Sequence, residues 1–156
     1  MAGTHSHSIG AVNPKWKIAI VRSSWHPECV DLMASEARTE LLKQGILLKN
    51  IVEVQVPGSF EIPLACKRVI EKKKVDAVLT FGVIVQGQTH HARLIAEESA
   101  GALMRLSLEK NLPVVFEIVF VDKIEHAKAR STGPNGKGPH AAQTALTTLA
   151  KLKDLG

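Results

Sequence analysis

The stretch Phe81-Gly82-Val83-Ile84-Val85-Gln86-Gly87-Gln88-Thr89-His90-His91 holds the clearest chemistry, because an apolar strand pattern stops at a glycine and a helical pattern begins. In an open parallel sheet, ligands bind at the carboxyl ends of strands, and a helix starting there aims unpaired backbone N–H groups at anything negative. His91 falls one turn inside the expected helix start. A proton carrier beside a ready-made anion site suggests reaction on a phosphorylated small molecule. The competing reading of the same residues is a plain strand-to-helix turn with a surface histidine.

Other residues fall at the same edge. Trp25 follows a strand pattern and lies outside the apolar stripe of the next helix. A ring there either stacks on a heterocycle or plugs the sheet end as core. Gly58-Ser59-Phe60-Glu61 takes the equivalent place after the second strand, with Ser59 and Glu61 able to bind hydroxyl groups; a first-turn acid favoured by the helix dipole is the plainer account of Glu61. Glu117 interrupts an apolar strand and must face a partner or a polar channel, since an unpaired buried charge is costly. Gly136-Lys137-Gly138 is no P-loop, because the four-residue gap, the hydroxyl residue after Lys137 and a preceding strand are all missing. His5 and His7 lack a third ligand, so no metal site is expected.

These residues need elements to hold them. Residues 17–23 have a continuous apolar centre, the pattern of a strand covered on both faces. Pro27 and Gly45 bracket a first helix whose buried face is Val30, Met33, Ala34, Ala37 and Leu41. The alternating run Ile51–Val56 ends at Pro57-Gly58 and leads to a second helix faced by Ile62, Ala65, Cys66, Val69 and Ile70. Residues 75–85 form a third strand, and residues 89–110 a third helix with Leu94, Ile95, Glu98, Ala102 and Leu106 in line. Residues 113–121 form the fourth strand. Asp122 and Glu125 match a capping box in form, opening a short helix that Arg130 closes. Residues 131–138 read as a loop, and residues 139–152 resume helical periodicity through Ala142, Ala145, Leu146, Leu149 and Leu152. The alternation predicts an α/β domain on a four-stranded parallel sheet with right-handed crossovers.

The chain's 156 residues suit one domain that needs no disulfide or metal to build a core. Residues 1–14 lack periodicity and predict a flexible arm, whose apolar positions from Ile9 to Trp16 would seek a neighbour's strand or groove; residues 15–156 form the domain. Cys29 and Cys66 read as buried thiols in a reducing cytoplasm. The net charge of +5 mildly favours anionic ligands. Lys72-Lys73-Lys74 reads as a solvated helix end, and without an RNA-binding aromatic motif no nucleic-acid partner is expected. No apolar run approaches the ~20 residues of a membrane span, and residues 1–14 are too polar for a signal peptide.

A pattern of blocks resembles the lumazine synthase family: a strand then Trp25, Val56-Pro57-Gly58-Ser59-Phe60-Glu61-Ile62-Pro63, Gly82 through His91, Pro113-Val114-Val115-Phe116, Ile124-Glu125 with Ala127 and Arg130, and a Gly- and Lys-containing loop before the last helix. The resemblance runs from Lys17 to Leu152 in matching order and spacing. It implies a flavodoxin-like three-layer sandwich with helices on both faces of the sheet. It also implies condensation of 5-amino-6-ribitylaminouracil with 3,4-dihydroxy-2-butanone 4-phosphate to 6,7-dimethyl-8-ribityllumazine, a step of riboflavin synthesis that needs no cofactor or metal. Family members assemble as pentamers, sometimes as decamers or sixty-subunit shells, with each site built between neighbours.

Carried over by position, the resemblance makes Trp25 the ring that stacks on the pyrimidine, while Ser59, Phe60 and Glu61 hold ribityl chain and ring. Val83 and Ile84 line the pyrimidine. Gly87, Gln88 and Thr89 meet the phosphate with their amides, and Arg130 binds it. Phe116, from the adjacent subunit, and Lys137 complete the pocket, and His91 transfers protons. Gln86, Ala92-Arg93, Glu117 and Phe120-Val121 depart from the family pattern, and the loop 131–138 is about one residue short. His90 beside His91 leaves two registers, of which spacing from Gly87 selects His91. The departures motivate an alternative, a catalytically weak relative that serves as a flavin-binding protein or scaffold.

Overall fold

The computed structural model describes residues 8–156, and His5 and His7 lie outside the described residues. Among the described residues four strands, β1 (Ile18–Ser23), β2 (Ile51–Val56), β3 (Ala77–Val85) and β4 (Val114–Val121), alternate with five helices. These are α1 (Pro27–Lys43), α2 (Ile62–Lys73), α3 (His91–Lys110), α4 (Ile124–Ser131) and α5 (Lys137–Leu155). The sheet is wholly parallel in the order β2-β1-β3-β4. β1 and β3 are central and almost fully buried, which is why their sequences are continuously apolar rather than alternating.

Helices cover both faces. Cys29, Val30, Met33, Ala34, Ala37 and Leu41 of α1 join Ala141, Ala142, Ala145 and Leu146 of α5 over one face, with Ala127 of α4 at its margin. Ile62, Cys66, Val69 and Ile70 of α2 join Ala92, Ala96, Leu103 and Leu106 of α3 over the other. The three-layer, flavodoxin-like architecture therefore stands as expected. Pro27 opens α1, where its missing N–H costs nothing, and Gly45 just beyond the helix takes φ +100, a conformation that excludes side chains readily. Both cysteines are buried free thiols.

Four local expectations are corrected. The inward face of α3 is Ala92, Ala96, Ser99, Leu103 and Leu106; of the expected stripe Leu106 is buried and Ile95 and Ala102 half-buried, while Leu94 and Glu98 are exposed, because the small residues of the first turns let that end of the helix lie close to the sheet. Asp122 does not cap α4, whose N-cap is Lys123 without a side-chain bond. α5 begins at Lys137, so Pro139 sits inside its first turn, where no N–H is needed. Ile9 and Val12 are half-buried against the chain's own core and Trp16 is buried in it, so Trp16 is not an exposed residue free to seek a neighbour.

Candidate active site

The strand order reverses between β1 and β3, and at this switch point the carboxyl ends of the strands open into a crevice. At the end of β1 the Ser24 amide and hydroxyl both donate to the Val56 carbonyl, at 2.9 and 3.0 Å. That clamp sets Trp25 beside the turn that follows β2. The next residue, His26, holds φ 54 at the N-cap of α1, an uncommon conformation for a side-chain-bearing residue. Its carbonyl accepts from the Cys29 and Val30 amides, which turns the chain into the helix.

After β2, residues Ser59–Glu61 form a single 3-10 turn leading into α2. Gly58 matters by its emptiness: a Cβ there would stand 2.9 Å from a Glu61 carboxylate oxygen and 3.6 Å from Trp25 Cδ1. Gly82 of β3 does the same beneath Ser59, whose hydroxyl would be 2.5 Å from an added Cβ. The Ser99 hydroxyl of α3 donates to the Ser59 carbonyl at 3.4 Å and ties the turn down. Glycines thus let two turns and a strand end approach one another.

The result is a cleft of about 800 Å³ lined by Trp25, His26, Gly58, Ser59, Phe60, Glu61, Val83, Ile84, Val85, His91, Ala92, Leu94, Ile95 and Glu98. Seven residues singled out from the sequence, Trp25, Ser59, Phe60, Glu61, Val83, Ile84 and His91, meet here. Trp25 is 68% exposed and Phe60 60%, so neither ring plugs the core. An apolar wall with a few convergent polar groups suits a flat heterocycle bearing hydroxyl groups. His91 is the first residue of α3 rather than a turn inside it.

The loop before α3 has its own order. The Gln86 side-chain amide donates to the Gly87 and Thr89 carbonyls at 2.9 and 3.0 Å, and the Thr89 hydroxyl accepts from the His91 amide at 3.3 Å. The N–H groups of Gly87, Gln88 and Thr89 find no acceptor among the described residues. Three free donors beside a helix start are suited to a phosphate.

Phe116, Arg130 and Lys137 do not line the cleft. Phe116 is 41% exposed on edge strand β4, Arg130 donates to the His126 carbonyl of its own helix at 2.7 Å, and Lys137 opens α5. Glu117 is paired, as a charge in that strand requires: His140 Nδ1 lies 3.5 Å from its Oε1. Burial pushes the Glu117 carboxyl above its ordinary pKa, against the downward pull of Lys137 and His140.

Sequence reasoning missed His26, Leu94 and Glu98 as cleft residues. His26 directly follows Trp25, and that adjacency was its signal. Leu94 and Glu98 stand three and seven residues beyond His91, one helical face, and were absorbed into the expected core stripe of α3. Among the described residues no cluster of His, Cys, Asp and Glu has the makings of a metal site. Also among them, no helix is long and apolar enough to cross a membrane.

Sheet order, switch-point cleft and anion-ready helix start define a flavodoxin-like α/β protein built to bind a small molecule. The family model described as 6,7-dimethyl-8-ribityllumazine synthase matches residues 15–153. Proteins of that name are similar along nearly the whole chain. The one from Paracidovorax citrulli (strain AAC00-1) is 36% identical over 141 residues, 90% of each chain. The one from Verminephrobacter eiseniae (strain EF01-2) is 36% identical over 140 residues, 90% of this chain and 88% of its own, and that from Stenotrophomonas maltophilia (strain K279a) is 34% identical over 140 residues, 89% and 90%. The chain belongs to the 6,7-dimethyl-8-ribityllumazine synthase family.

Proposed function

We propose that this chain, as one domain over residues 15–156, condenses 5-amino-6-ribitylaminouracil with 3,4-dihydroxy-2-butanone 4-phosphate, releasing 6,7-dimethyl-8-ribityllumazine, phosphate and water in the cytoplasm. The carrying observation is the convergence of Trp25, Ser59, Glu61, Val83, Ile84 and His91 on one cleft in a chain of this family. Trp25 stacks on the pyrimidine, Val83 and Ile84 line it, and Ser59, Phe60 and Glu61 hold the ribityl chain. The amides of Gly87, Gln88 and Thr89 receive the phosphate.

His91 moves protons as the uracil amine adds to the ketone and water leaves, a task suited to imidazole near neutral pH. Preplaced donors stabilise the departing phosphate, and holding both substrates together contributes further rate. Phe116, Arg130 and Lys137 act in the cleft of a neighbouring copy. Their position outside their own cleft supports a shared site, and with it the pentamer, or a multiple of five, that the family uses. Purified protein given both substrates should form the lumazine chromophore with one phosphate released per product. Native mass spectrometry should find assemblies in fives. Neither product, from a folded assembly, would remove the reaction; a clean monomer at micromolar concentration would remove the shared site.

A further inference from the structure

The helix that carries His91 starts without a side-chain cap. His90, at the N-cap of α3, makes no side-chain hydrogen bond to the helix, where a serine, threonine, aspartate or asparagine would satisfy one of the free amides. Two other side chains stand in. The Thr89 hydroxyl accepts from the His91 amide at 3.3 Å. The Gln86 side-chain nitrogen donates to the Gly87 carbonyl at 2.9 Å and to the Thr89 carbonyl at 3.0 Å. Both carbonyls only accept, so the group facing them is the NH2, and its two protons match the two bonds. Gln86 is itself fixed to the sheet, because its main-chain N–H donates to the carbonyl of Val121, the last residue of β4, at 2.8 Å. A strut therefore runs from the sheet through Gln86 and Thr89 to the first residue of α3. Of the two adjacent histidines, His91 lines the cleft and His90 does not. Neighbouring helical residues point about 100° apart, so the place where the helix starts decides which imidazole is presented.

We propose that Gln86 is a positioning residue for His91, acting through the loop it clamps. The proposal rests on the reading of His91 as the proton carrier. Gln86 itself touches no substrate, since both of its donors are committed to loop carbonyls. Without them the loop keeps only the longer Thr89–His91 contact, the first turn of α3 frays, and the imidazole is no longer held at the reacting atoms. Trp25 and the Ser59 turn leave other strands and stay in place.

The test compares wild type, Gln86→Met, His91→Ala and the double variant as assembled full chains. Methionine keeps the length of glutamine and removes both donors. In Gln86→Met kcat should fall roughly 3–30-fold, short of the 10²-fold that a 1 Å misplacement can cost, while binding of the uracil substrate stays within about 2-fold. With His91 already alanine the same change should cost nothing further, the non-additivity of residues that act as a unit. A general loosening of the cleft would instead weaken uracil binding and slow both backgrounds alike. An unchanged kcat in Gln86→Met, an undiminished loss in the His91→Ala background, or an equal loss of uracil binding overturns the proposal.

Hydrogen exchange gives a reading that needs no turnover. The Leu94 amide donates to the His90 carbonyl at 3.0 Å and closes the first turn of α3. In Gln86→Met its exchange should quicken by roughly 3-fold or more while the amides of α1 and α2 keep their protection; equal Leu94 protection in both proteins refutes the strut. Lumazine formation by the wild type is read separately. Turnover with an unmoved Leu94 amide removes only this proposal, and a quickened amide without turnover removes only the proposed reaction.

Discussion

Gly82→Ala tests whether the cleft depends on the close approach of β3 to the Ser59 turn. The new Cβ would stand 2.5 Å from the Ser59 hydroxyl and 3.4 Å from Ile118 Cγ2 and the Ser23 hydroxyl. Ordinary contact begins near 3.4 Å, so the Ser59 hydroxyl must retreat by the difference, about 0.9 Å. The turn itself is restrained by Ser99, which leaves rotation of the serine side chain as the cheapest response. The stability cost should sit near the low end of the 1–3 kcal/mol typical of overpacking, about 1 kcal/mol. The displaced hydroxyl should lose one contact to the ribityl chain, about 0.5–1.5 kcal/mol, or roughly 2–10-fold in the KM of the uracil substrate.

Gly138→Ala is the contrast that gives the prediction its edge. A Cβ there would drive into the Met33 main-chain carbonyl and come within 3.0 Å of the Ala37 nitrogen and 3.1 Å of Glu36 Cβ. Main chain cannot rotate aside, so α1 and α5 must separate, at about 3 kcal/mol or more. Urea melts and steady-state kinetics on both variants separate the two costs. Gly82→Ala should change KM and stability by comparable amounts, and Gly138→Ala should change stability far more than KM. An unchanged uracil KM in Gly82→Ala, with Ser59→Ala raising it, would refute the reasoning, because the crowded hydroxyl would then have kept its contact.

His91→Ala should lower kcat by roughly 10–10⁴-fold while the fold and pyrimidine binding survive; adjacent helical residues point about 100° apart, so His90→Ala should leave the rate alone, and a reversed outcome in rapid-mixing assays would shift the register by one. Arg130→Ala should weaken use of the phosphorylated ketone by about 2–5 kcal/mol, with little effect on the uracil; equal losses for both substrates would mark Arg130 as a loop support. Glu71, bonded to Lys110 at 2.8 Å and Lys67 at 2.6 Å, is held down to a pKa of about 2 by those two lysines. Its folded pKa is depressed, so its contribution to joining α2 and α3 is present above the ordinary value of 4.5 and is lost as pH falls toward 2. Acid unfolding of Glu71→Gln should therefore lack that part of the wild-type pH dependence, and superimposable acid curves would show the lysine contacts to be without consequence.

The fold was legible because its signals agree locally. The run Ile51–Val56 alternates and is a half-exposed edge strand, whereas β1 and β3 are continuously apolar and central. α3 was harder, since apolar residues ring it, and in its first half small residues face the sheet: Ala92, Ala96 and Ser99 fit there, while Leu94 was left for the cleft and only farther on do Leu103 and Leu106 turn inward. The Asp122 capping pattern failed because α4 starts one residue later than the pattern needs.

The proposed site was legible in two unequal parts, and the boundary between them has a physical cause. Trp25, Gly58–Glu61 and Gly82–His91 all leave the carboxyl ends of β1, β2 and β3, and adjacent parallel strands bring such ends together within one chain. Phe116 lies within β4, at the far edge of the sheet, Arg130 and Lys137 follow it in α4 and α5, and none of the three lines that crevice. Residue spacing can carry a family role to them, but it contains no term for which copy of the chain uses it. Under the proposed shared site the edge position of β4 supplies that term, since side chains exposed there lie outside the cleft of their own chain. Exposure of Phe116 on that edge and the burial of Glu117 on the opposite side of the same strand then follow from one alternation.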